Sequence, residues 1–400
     1  MKNLLLRAAR QQKGWNQQQL ADFAGVSLST VERAERGEST RIDNIERLCT
    51  CLQKSPEQLG LLNTEDLAVN RRQANKTIAG LVGGLLTTSA TGQMIDLPPL
   101  TEMWADDLLT TYAHGIAACQ DLYFSGNPYQ VEAILPLYRS QTALLGRQPS
   151  SLQKTAAKLA SQAQQLACEL ATDREDFATA QEAGRQAFLY AQLASDSNLQ
   201  VNALISLANI SFHRKLSDAA LQTYKHAVSL LKDNVTPLLK GRTYAGIAEV
   251  YAMRGQLQEA MRAMGLAYEN FPLKPEDDPA YPYLRASRYA LYVFGDAQSR
   301  LFLHQPREAD QALIAVQKET NDPQIEPVTK LDMLYYQADV QIQQGELETS
   351  GSILTEAATL AKELGSRLYF NKLVASYQSL KTQWPRESKI VALEEVFQPW

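Results

Sequence analysis

Apolar residues recur three and four positions apart along most of the chain, and no stretch alternates apolar and polar residues for long. This period is that of amphipathic helices rather than strands, so the pattern predicts an all-α fold. Three regions differ in how their helices are interrupted. The pattern predicts short helices with tight turns for residues 1–62 and a linker of mixed character for residues 63–99. For residues 100–400 it predicts long helices separated by Gly, Pro, Asn and Asp.

Residues 15–37 carry the strongest local pattern, WNQQQLADFAGVSLSTVERAERG. Leu20 and Ala24 share one helical face. Gly25 follows at the position where a left-handed C-cap is needed, and Ser27 is a good N-cap for the next helix. The pattern predicts two helices joined by a tight turn, with the second helix free to lie in a DNA major groove.

This segment resembles the XRE/lambda-repressor-like helix-turn-helix family. The resemblance covers about residues 1–62, because 42–52 and 55–59 fit the family's fourth and fifth helices, and it implies a five-helix DNA-binding head. It also implies an ion pair between Arg10 and Glu35, which would fasten the first helix to the recognition helix. The matching positions are Asn16, Gln17, Leu20, Ala21, Gly25, Val26, Ser27, Glu35 and Gly37, with Val31 in place of Ile.

The same resemblance implies which residues contact double-stranded DNA. Leu28, Ser29 and Arg33 would meet base edges, where an arginine bound to guanine gives about 1–3 kcal/mol of discrimination. Ser27 is assigned to the same surface. The residues expected near phosphates are Asn16, Gln17, Thr30, Arg36 and Arg41.

One head contacts too few phosphates for tight specific binding, so we expect a homodimer on a pseudo-palindromic operator. Residues 1–60 hold nine Lys and Arg against seven Asp and Glu, whereas the remaining residues hold 30 against 37. An acidic body is repelled by DNA and leaves only the head to bind it. Because the excess of positive charge on the head is small, a head kept only for protein binding stays an alternative.

The linker contains NRRQANK at 70–76, followed by TIAGLVGGLLTTSAT at 77–91. A twin arginine before an apolar run is similar to a twin-arginine export signal, but such signals stand at the N-terminus. The run is too short and too rich in glycine to span a bilayer. We expect a connector that packs on one of the domains, and a remnant signal or a membrane-surface role is the alternative.

Small residues recur along residues 100–400 at intervals of 40, 40, 49 and 41, at Ala180, Ala220, Ala260, Ala309 and Ser350. Two helices of a hairpin approach closely only at small residues, so this recurrence is typical of a helical array. The same spacing holds twelve positions earlier and seven positions later, at Cys168, Ala208, Ala248, Ala297 and Ala338 and at Ala187, Ala227, Ala267, Val316 and Ala357.

The unit from Tyr244 to Pro272 resembles a tetratricopeptide repeat, and the unit at 201–234 matches nearly as well. The resemblance implies a right-handed α-solenoid of helical hairpins over residues 100–400. The longest interval contains PLKPEDDPAYP, which we expect to form an exposed loop. A last helix near 386–397 is expected to cap the array.

In a helical array the first helix of each hairpin lines an inner groove. Asparagine side chains there could pair with the backbone of a small peptide without a charge cost, aromatic side chains could supply apolar pockets, and Arg242 could meet a carboxylate. Ordinary solvated groove residues, or a groove filled by one of the protein's own helices, are the alternatives. The groove positions that the tetratricopeptide register implies are Asn202, Ile205, Asn209, Phe212, His213, Arg242, Glu249, Phe294, Gln298, Tyr335 and Asp339.

Several functional classes are disfavoured by the absence of their motifs. The four cysteines are too scattered for a disulfide framework, and no C-x-x-C or H-E-x-x-H motif suggests a metal site. No nucleophile stands in a catalytic motif, so we expect a protein that is not an enzyme and needs no cofactor. A cytoplasmic location without a membrane span is the expectation.

Head and body together resemble the bacterial peptide-sensing regulators of the RRNPP superfamily. The resemblance implies a sequence-specific transcriptional regulator of the quorum-sensing kind, in which a small peptide or other ligand in the groove alters dimer geometry and DNA binding. The alternative is a scaffold or adaptor, in which the repeats recruit a protein partner and the head anchors that partner to DNA.

Overall fold

A computed structural model describes residues 3–37, 40, 42–52, 54, 59, 61, 102–319 and 326–398, and these residues are helices and connecting turns without a strand among them. The all-α prediction is therefore confirmed for the described part of the chain. The chain forms two compact units, residues 1–96 and 97–400. The finer division into head, linker and body stays a prediction, because residues 62–101 lie outside the described residues.

The described helices of the N-terminal unit are α1 (Leu4–Gln12), α2 (Gln17–Ala24), α3 (Leu28–Arg36) and α4 (Ile42–Leu52). Their core forms around Leu6, Leu20, Val31 and Leu48, all of which are fully buried. The fifth helix expected at 55–59 lies outside the described residues except for Leu59, which packs into this core.

The turn between α2 and α3 has the predicted geometry. Gly25 ends α2 with a φ of 63°, in the left-handed region where a side chain would be strained. The Ser27 hydroxyl accepts a hydrogen bond from the Thr30 backbone N–H and so begins α3. These two caps fix where one helix stops and the next starts.

The C-terminal unit is built from long helices joined by short turns. Its helices are α5 (Glu102–Phe124), α6 (Pro128–Arg147), α7 (Gln153–Asp173), α8 (Phe177–Leu193), α9 (Ser197–His213), α10 (Ser217–Ser229), α11 (Pro237–Met253), α12 (Leu257–Asn270), α13 (Tyr281–Leu284), α14 (Arg288–Ala290), α15 (Gln298–Phe302), α16 (Pro306–Glu319), α17 (Pro327–Gln344), α18 (Leu347–Glu363), α19 (Arg367–Gln383) and α20 (Ser388–Ala392). A π-helical segment, Leu291–Ala297, joins α14 to α15.

Neighbouring helices form hairpins that repeat with the spacing of the small residues. All of the aligned small positions are buried, and Ala180, Ala220, Ala260, Ala309 and Ser350 are fully so. The predicted close approach of paired helices is thus confirmed. The turns inside these hairpins repeat as well, because a residue with positive φ recurs at the same spacing, at Glu175, Lys215, Gly255, His304 and Gly345. The tetratricopeptide resemblance and the right-handed sense of the array stay predictions.

The Pro-rich insertion at 272–282, expected to be an exposed loop, is exposed only in part. Leu273 projects into solvent, but Pro275, Asp278 and Ala280 are buried. The Asp278 carboxylate accepts hydrogen bonds from the backbone N–H groups of Leu238 (3.1 Å) and Ala280 (2.8 Å). The insertion is packed because its carboxylate satisfies an orphan N–H at the start of α11.

The first and last hairpins of the C-terminal unit contact each other. Helix α5 packs against α17, and α7 against α19. The Arg174 guanidinium donates to the backbone carbonyls of Leu364 and Gly365, and the Asn371 amide donates to Glu175 at 2.5 Å. Hairpins in a simple array touch only their neighbours, whereas these contacts join the first and last hairpins of the unit.

The C-terminal end of the unit is covered as expected. Helix α20 and the short helical turn Leu393–Glu395 pack Ile390 and Leu393 on the last hairpins. The Phe397 ring stacks on Tyr377 with centroids 4.8 Å apart.

Candidate DNA-binding surface and ligand cavity

Helix α3 presents one polar face and one buried face. Val31 and Ala34 pack into the core of the head, while Ser29, Arg33 and Arg36 are exposed. Their exposure follows from the 3.6-residue period, which places positions 29, 33 and 36 on the side opposite 31 and 34. Leu28, which is half-buried, lies at the start of the same helix.

The ion pair implied by the family resemblance is present. Arg10 Nε lies 2.6 Å from Glu35 Oε1, and Arg10 Nη2 lies 3.2 Å from Glu35 Oε2. Arg10 also donates to the backbone carbonyl of Trp15, at 2.7 Å. Both charged groups are buried, and the two parallel hydrogen bonds fix α1 against α3 in a single geometry.

Two residues expected near phosphates already have internal roles. The Asn16 side chain accepts from the Gln19 backbone N–H at 2.8 Å, and the Gln19 side chain accepts from the Asn16 N–H at 2.9 Å, which is a capping box. The Gln17 amide donates to Glu35 Oε2 at 2.7 Å. Asn16 thereby fixes the N-terminus of α2, and Gln17 buttresses the buried ion pair.

The remaining expected DNA contacts lie at the start of α3 or beyond it. The Ser27 hydroxyl lies 2.9 Å from that of Ser29 and 2.8 Å from that of Thr30. Arg41 lies outside the described residues. Arg47, which the sequence reasoning did not single out, is exposed and donates to the Gly25 carbonyl at 2.9 Å, so it links α4 to the turn before α3.

Residues 6–59 match the family model for the helix-turn-helix. The match begins in α1 and ends at Leu59, and it includes the turn at Gly25 and the whole of α3. An XRE-type helix-turn-helix thus stands at the N-terminus, followed by a helical body. The match supports a role for the protein as a DNA-binding regulator. No curated protein matches the chain at a significant level.

The body contains a cavity of about 230 Å³ between the helices that its hairpins bring together. Its walls come from α5, α7, α9, α11, α17 and α19 and from the segment 284–298. Helices α5 and α7 belong to the first hairpins, and α17 and α19 belong to the last. The cavity therefore depends on the contacts between the first and last hairpins.

Most of the residues expected in the groove line this cavity. Tyr335 and Asp339 do not: Asp339 instead accepts a hydrogen bond from the Ser376 hydroxyl at 2.5 Å. The residues that the structure brings together are Asn202, Ile205, Asn209, Phe212, His213, Arg242, Glu249, Phe294 and Gln298.

Several polar groups of this set bond to the protein itself. Arg242 Nη1 lies 2.9 Å from Glu249 Oε1, so the carboxylate expected from a ligand is supplied internally. The Asn209 side-chain carbonyl accepts from the Tyr224 hydroxyl at 2.6 Å, and the Asn202 amide donates to Gln165. These bonds orient the side chains that line the cavity.

His213 differs from these residues because its Nδ1 is buried without a hydrogen-bond partner among the described residues. Burial lowers the pKa of His213 well below its ordinary value, so the ring is neutral near pH 7. A neutral imidazole can donate or accept one hydrogen bond at this nitrogen. It is a polar group that a ligand could satisfy.

Three carboxyl groups in the cavity wall were not foreseen from the sequence. Glu169 and Asp173 lie one turn apart on α7, and Asp332 projects from α17. Burial raises the pKa of Glu169 to about 8, that of Asp332 to about 7 and that of Asp173 to about 6. Desolvation disfavours the charged form of each group, so protonated and ionised states coexist here near neutral pH.

The structure does not describe any group of three or more His, Cys, Asp or Glu side chains placed to hold a metal ion. Within residues 3–37, 42–52, 102–319 and 326–398, no helix has the length and apolar character needed to cross a bilayer.

Proposed function

We propose that the protein is a sequence-specific transcriptional regulator whose body binds a small peptide or another small ligand. The head binds operator DNA through α3, where Ser29 and Arg33 contact base edges. The observation that carries the proposal is the coexistence, in one chain, of a helix-turn-helix with an exposed polar face on α3 and a cavity in the body.

The buried Arg10–Glu35 pair supports a DNA-reading role for α3. Reading a DNA sequence requires side chains that are held within about 0.5 Å of the geometry in which they hydrogen-bond to base edges. The pair holds α3 against α1 by two hydrogen bonds of 2.6 and 3.2 Å. The Asn16 capping box fixes the N-terminus of α2, and backbone N–H groups at a helix N-terminus bind phosphates.

The operator is bound by a homodimer, because one recognition helix contacts too few phosphates for tight binding. The operator is therefore pseudo-palindromic, with half-sites about one helical turn apart or a multiple of that distance. The net negative charge of the chain, −5, keeps the body away from the duplex and confines binding to the heads.

The ligand cavity suits a small molecule or one end of a peptide. Its volume of about 230 Å³ lies just below the range of about 300–1,000 Å³ that is usual for small-ligand pockets. Asn202, Asn209 and Gln298 bring amide groups to its wall, and Phe212 and Phe294 bring aromatic rings. This combination of a few fixed polar groups with apolar surface is typical of ligand sites.

Ligand binding is coupled to DNA binding by a population shift. Asp173 lines the cavity, and its neighbour Arg174 donates to the carbonyls of Leu364 and Gly365 in the contact between the first and last hairpins. A ligand that favours one arrangement of this contact favours one geometry of the dimer. A differential affinity of roughly 1–3 kcal/mol between two arrangements is enough to change DNA binding 5- to 150-fold.

Enrichment of random duplex DNA on the purified full-length protein tests the proposal. We expect a pseudo-palindromic motif whose two half-sites have a fixed spacing. A mixture of enriched sequences with no shared motif would contradict DNA recognition by the head. A single half-site bound by a monomer in sedimentation would contradict the dimer.

A further inference from the structure

The cavity in the body has one acidic wall. Glu169 and Asp173 stand four residues apart on α7 and therefore on one face of that helix. Asp332 reaches the same wall from α17. Asp173 accepts a hydrogen bond from the Tyr123 hydroxyl at 2.5 Å, and Glu169 has neither a hydrogen-bond nor an ion-pair partner among the described residues.

The other charged groups of the cavity are already paired. Arg242 is bound to Glu249 at 2.9 Å. Arg285 is bound to Asp121 and lies 4.0 Å from Glu326. Both arginines are engaged elsewhere, so the negative charge of the wall is limited by protonation of its carboxyl groups or offset by another cation.

Lys372 is the cation that approaches the acidic wall from α19. Its Nζ is buried without a hydrogen-bond partner among the described residues, and it lies 4.4 Å from the centroid of Tyr369 and 5.3 Å from that of Tyr335. Its positive charge lowers the pKa of Asp173 and that of Asp332, although burial still raises both above their ordinary values. The acidic wall thus has three carboxyl groups, those of Glu169, Asp173 and Asp332, and, among the described residues, only the one ammonium group of Lys372 near it.

The cavity is also lined by apolar and aromatic side chains, namely Phe212, Phe294, Ile205 and Tyr289. His213 lines it as well, with its Nδ1 buried and without a hydrogen-bond partner among the described residues. A complementary ligand combines a positive charge for the acidic wall, an apolar moiety for the rings and a polar group within reach of His213.

We propose that the cavity binds an organic cation, namely a primary ammonium or guanidinium group attached to an apolar moiety, as a short peptide provides. The cationic group contacts Glu169, Asp173 and Asp332, and the apolar moiety contacts Phe212 and Phe294. The inference rests on the proposed function in so far as that function assigns a ligand to this cavity. The positive charge comes either from a basic side chain or from a peptide amino terminus.

The protonation behaviour of the wall supports this assignment. Burial raises the pKa of Glu169 to about 8 and that of Asp332 to about 7. A bound cation stabilises the carboxylates and expels their protons, so binding strengthens with pH, by up to roughly tenfold per pH unit for each proton released. Burial also lowers the pKa of Lys372 to about 8, which removes a competing positive charge over the same range. The titratable and charged groups that act on these three are Tyr123, Cys168, Asp173, His213, Glu249, Tyr289, Tyr336, Asp339 and Tyr369.

Four pools of pentapeptides separate the possible ligands. Their variable positions contain Ala, Leu, Phe and Ser, and their C-termini are amidated. Three pools have acetylated N-termini and a central residue fixed as Lys, norleucine or Glu. The fourth pool has a central norleucine and a free amino terminus. Equilibrium dialysis against the full-length protein, at pH 6 and pH 8, measures how much of each pool is retained.

We expect the Lys pool, the free-amine pool or both to be retained at least tenfold better than the Glu pool, and better at pH 8 than at pH 6. Retention of the Lys pool assigns the charge to a side chain, and retention of the free-amine pool assigns it to the terminus. Equal or better retention of the Glu pool or the acetylated norleucine pool overturns the proposal. Absence of retention of every pool overturns it as well.

The double variant E169Q/D332N tests whether the acidic wall is responsible. It keeps the shapes of both side chains and removes the two most perturbed carboxyl groups, so the preference for the cationic pools should fall at least tenfold. Thermal unfolding at pH 8 verifies that the variant is folded. The control is E182Q, on the exposed face of α8, where Glu182 pairs with Arg185 at 2.9 Å. It should retain the pools as the wild type does, and an unchanged preference in the double variant contradicts the proposal.

The two proposals fail in different ways. A protein that enriches an operator motif but binds no cationic pool remains a DNA-binding regulator and contradicts only the assignment of the ligand. A protein that binds the cationic pools but enriches no motif keeps the ligand assignment and contradicts the proposed regulatory function.

Discussion

Removal of the Arg10 side chain tests how the recognition helix is held. Glu35 Oε1 accepts from Arg10 Nε at 2.6 Å, and Glu35 Oε2 accepts from Arg10 Nη2 at 3.2 Å and from Gln17 Nε2 at 2.7 Å. The two charged side chains are only 9% and 7% exposed. Arg10→Ala leaves a buried carboxylate with one neutral donor, a change that costs about 3–5 kcal/mol in other buried pairs.

That cost is large for a unit of this size. Stability of roughly 0.05–0.15 kcal/mol per residue gives a head of about 60 residues only roughly 3–9 kcal/mol in total. Arg10→Ala should therefore unfold the head or leave it marginal, while the body stays folded. Hydrogen exchange of the full chain, measured by mass spectrometry, should show lost protection in peptides from residues 4–36 and unchanged protection in peptides from α7 to α12.

Two further variants make the result decisive. Arg7→Ala removes an exposed arginine from the same helix and should change the exchange of the head little. Arg10→Met combined with Glu35→Leu replaces the whole pair by apolar groups and should recover most of the stability. A loss below about 1 kcal/mol for Arg10→Ala, within the range of a surface pair, would refute the reasoning.

Three other predictions concern the body. Because burial raises the pKa of Glu169 to about 8, the folded state binds a proton that the unfolded state has already lost. The contribution of Glu169 to the free energy of unfolding should therefore fall as the pH rises from about 5 to 8. In chemical denaturation, the stability of Glu169→Gln relative to the wild type should grow over this range toward a value on the order of 5 kcal/mol. A difference that does not depend on pH contradicts this prediction. Gly246→Ala forces a methyl group into the Tyr224 ring and should lower the stability of the body by about 1–3 kcal/mol. Gly265→Ala has open space around it and should raise the stability by up to about 1 kcal/mol. Equal melting temperatures for the two variants would contradict the close packing of Gly246 against Tyr224. Arg174→Ala removes the hydrogen bonds to the carbonyls of Leu364 and Gly365 and should increase hydrogen exchange around residues 364–371, an effect that should be missing if the ends of the body do not meet.

Local structure in the head could be predicted from the sequence because it depends on adjacent residues. The left-handed backbone at the end of α2 requires Gly25, the N-terminus of α3 requires the Ser27 cap, and the core of the head requires an apolar residue at Val31. All three residues lie within seven positions of one another. The Arg10–Glu35 pair is further apart in sequence and was available only through the family resemblance. The third hydrogen bond to Glu35, from Gln17, is not predicted, because the resemblance assigns Gln17 to a phosphate contact.

The hairpins of the body were also predictable, since the requirement for small residues leaves a periodic trace. Ala208, Ala220 and Ala248 are fully buried, as their spacing indicated. Most of the residues named by the register that the tetratricopeptide resemblance implies line the cavity. The register gives no information on what those side chains bind. A spacing of seven residues places Arg242 and Glu249 on the same helix face, so the spacing alone predicts their ion pair.

The acidic wall could not be predicted from a single repeat. Glu169 and Asp332 come from hairpins far apart in the chain, and they share a cavity only because α5 and α7 contact α17 and α19. The π-helical segment Leu291–Ala297 and the buried Pro-rich insertion likewise depend on contacts between hairpins. Such contacts lie at irregular positions and leave no periodic pattern.

The central claim is that side chains on the exposed face of α3 choose the DNA sequence. Selection from random duplex DNA, repeated with the full-length Ser29→Ala/Arg33→Ala double variant, tests it most directly, with hydrogen exchange of the head as the check on folding. Loss of the enriched motif, with the head still protected and residual binding independent of sequence, is the predicted result. Enrichment of the same motif by the double variant would contradict the account.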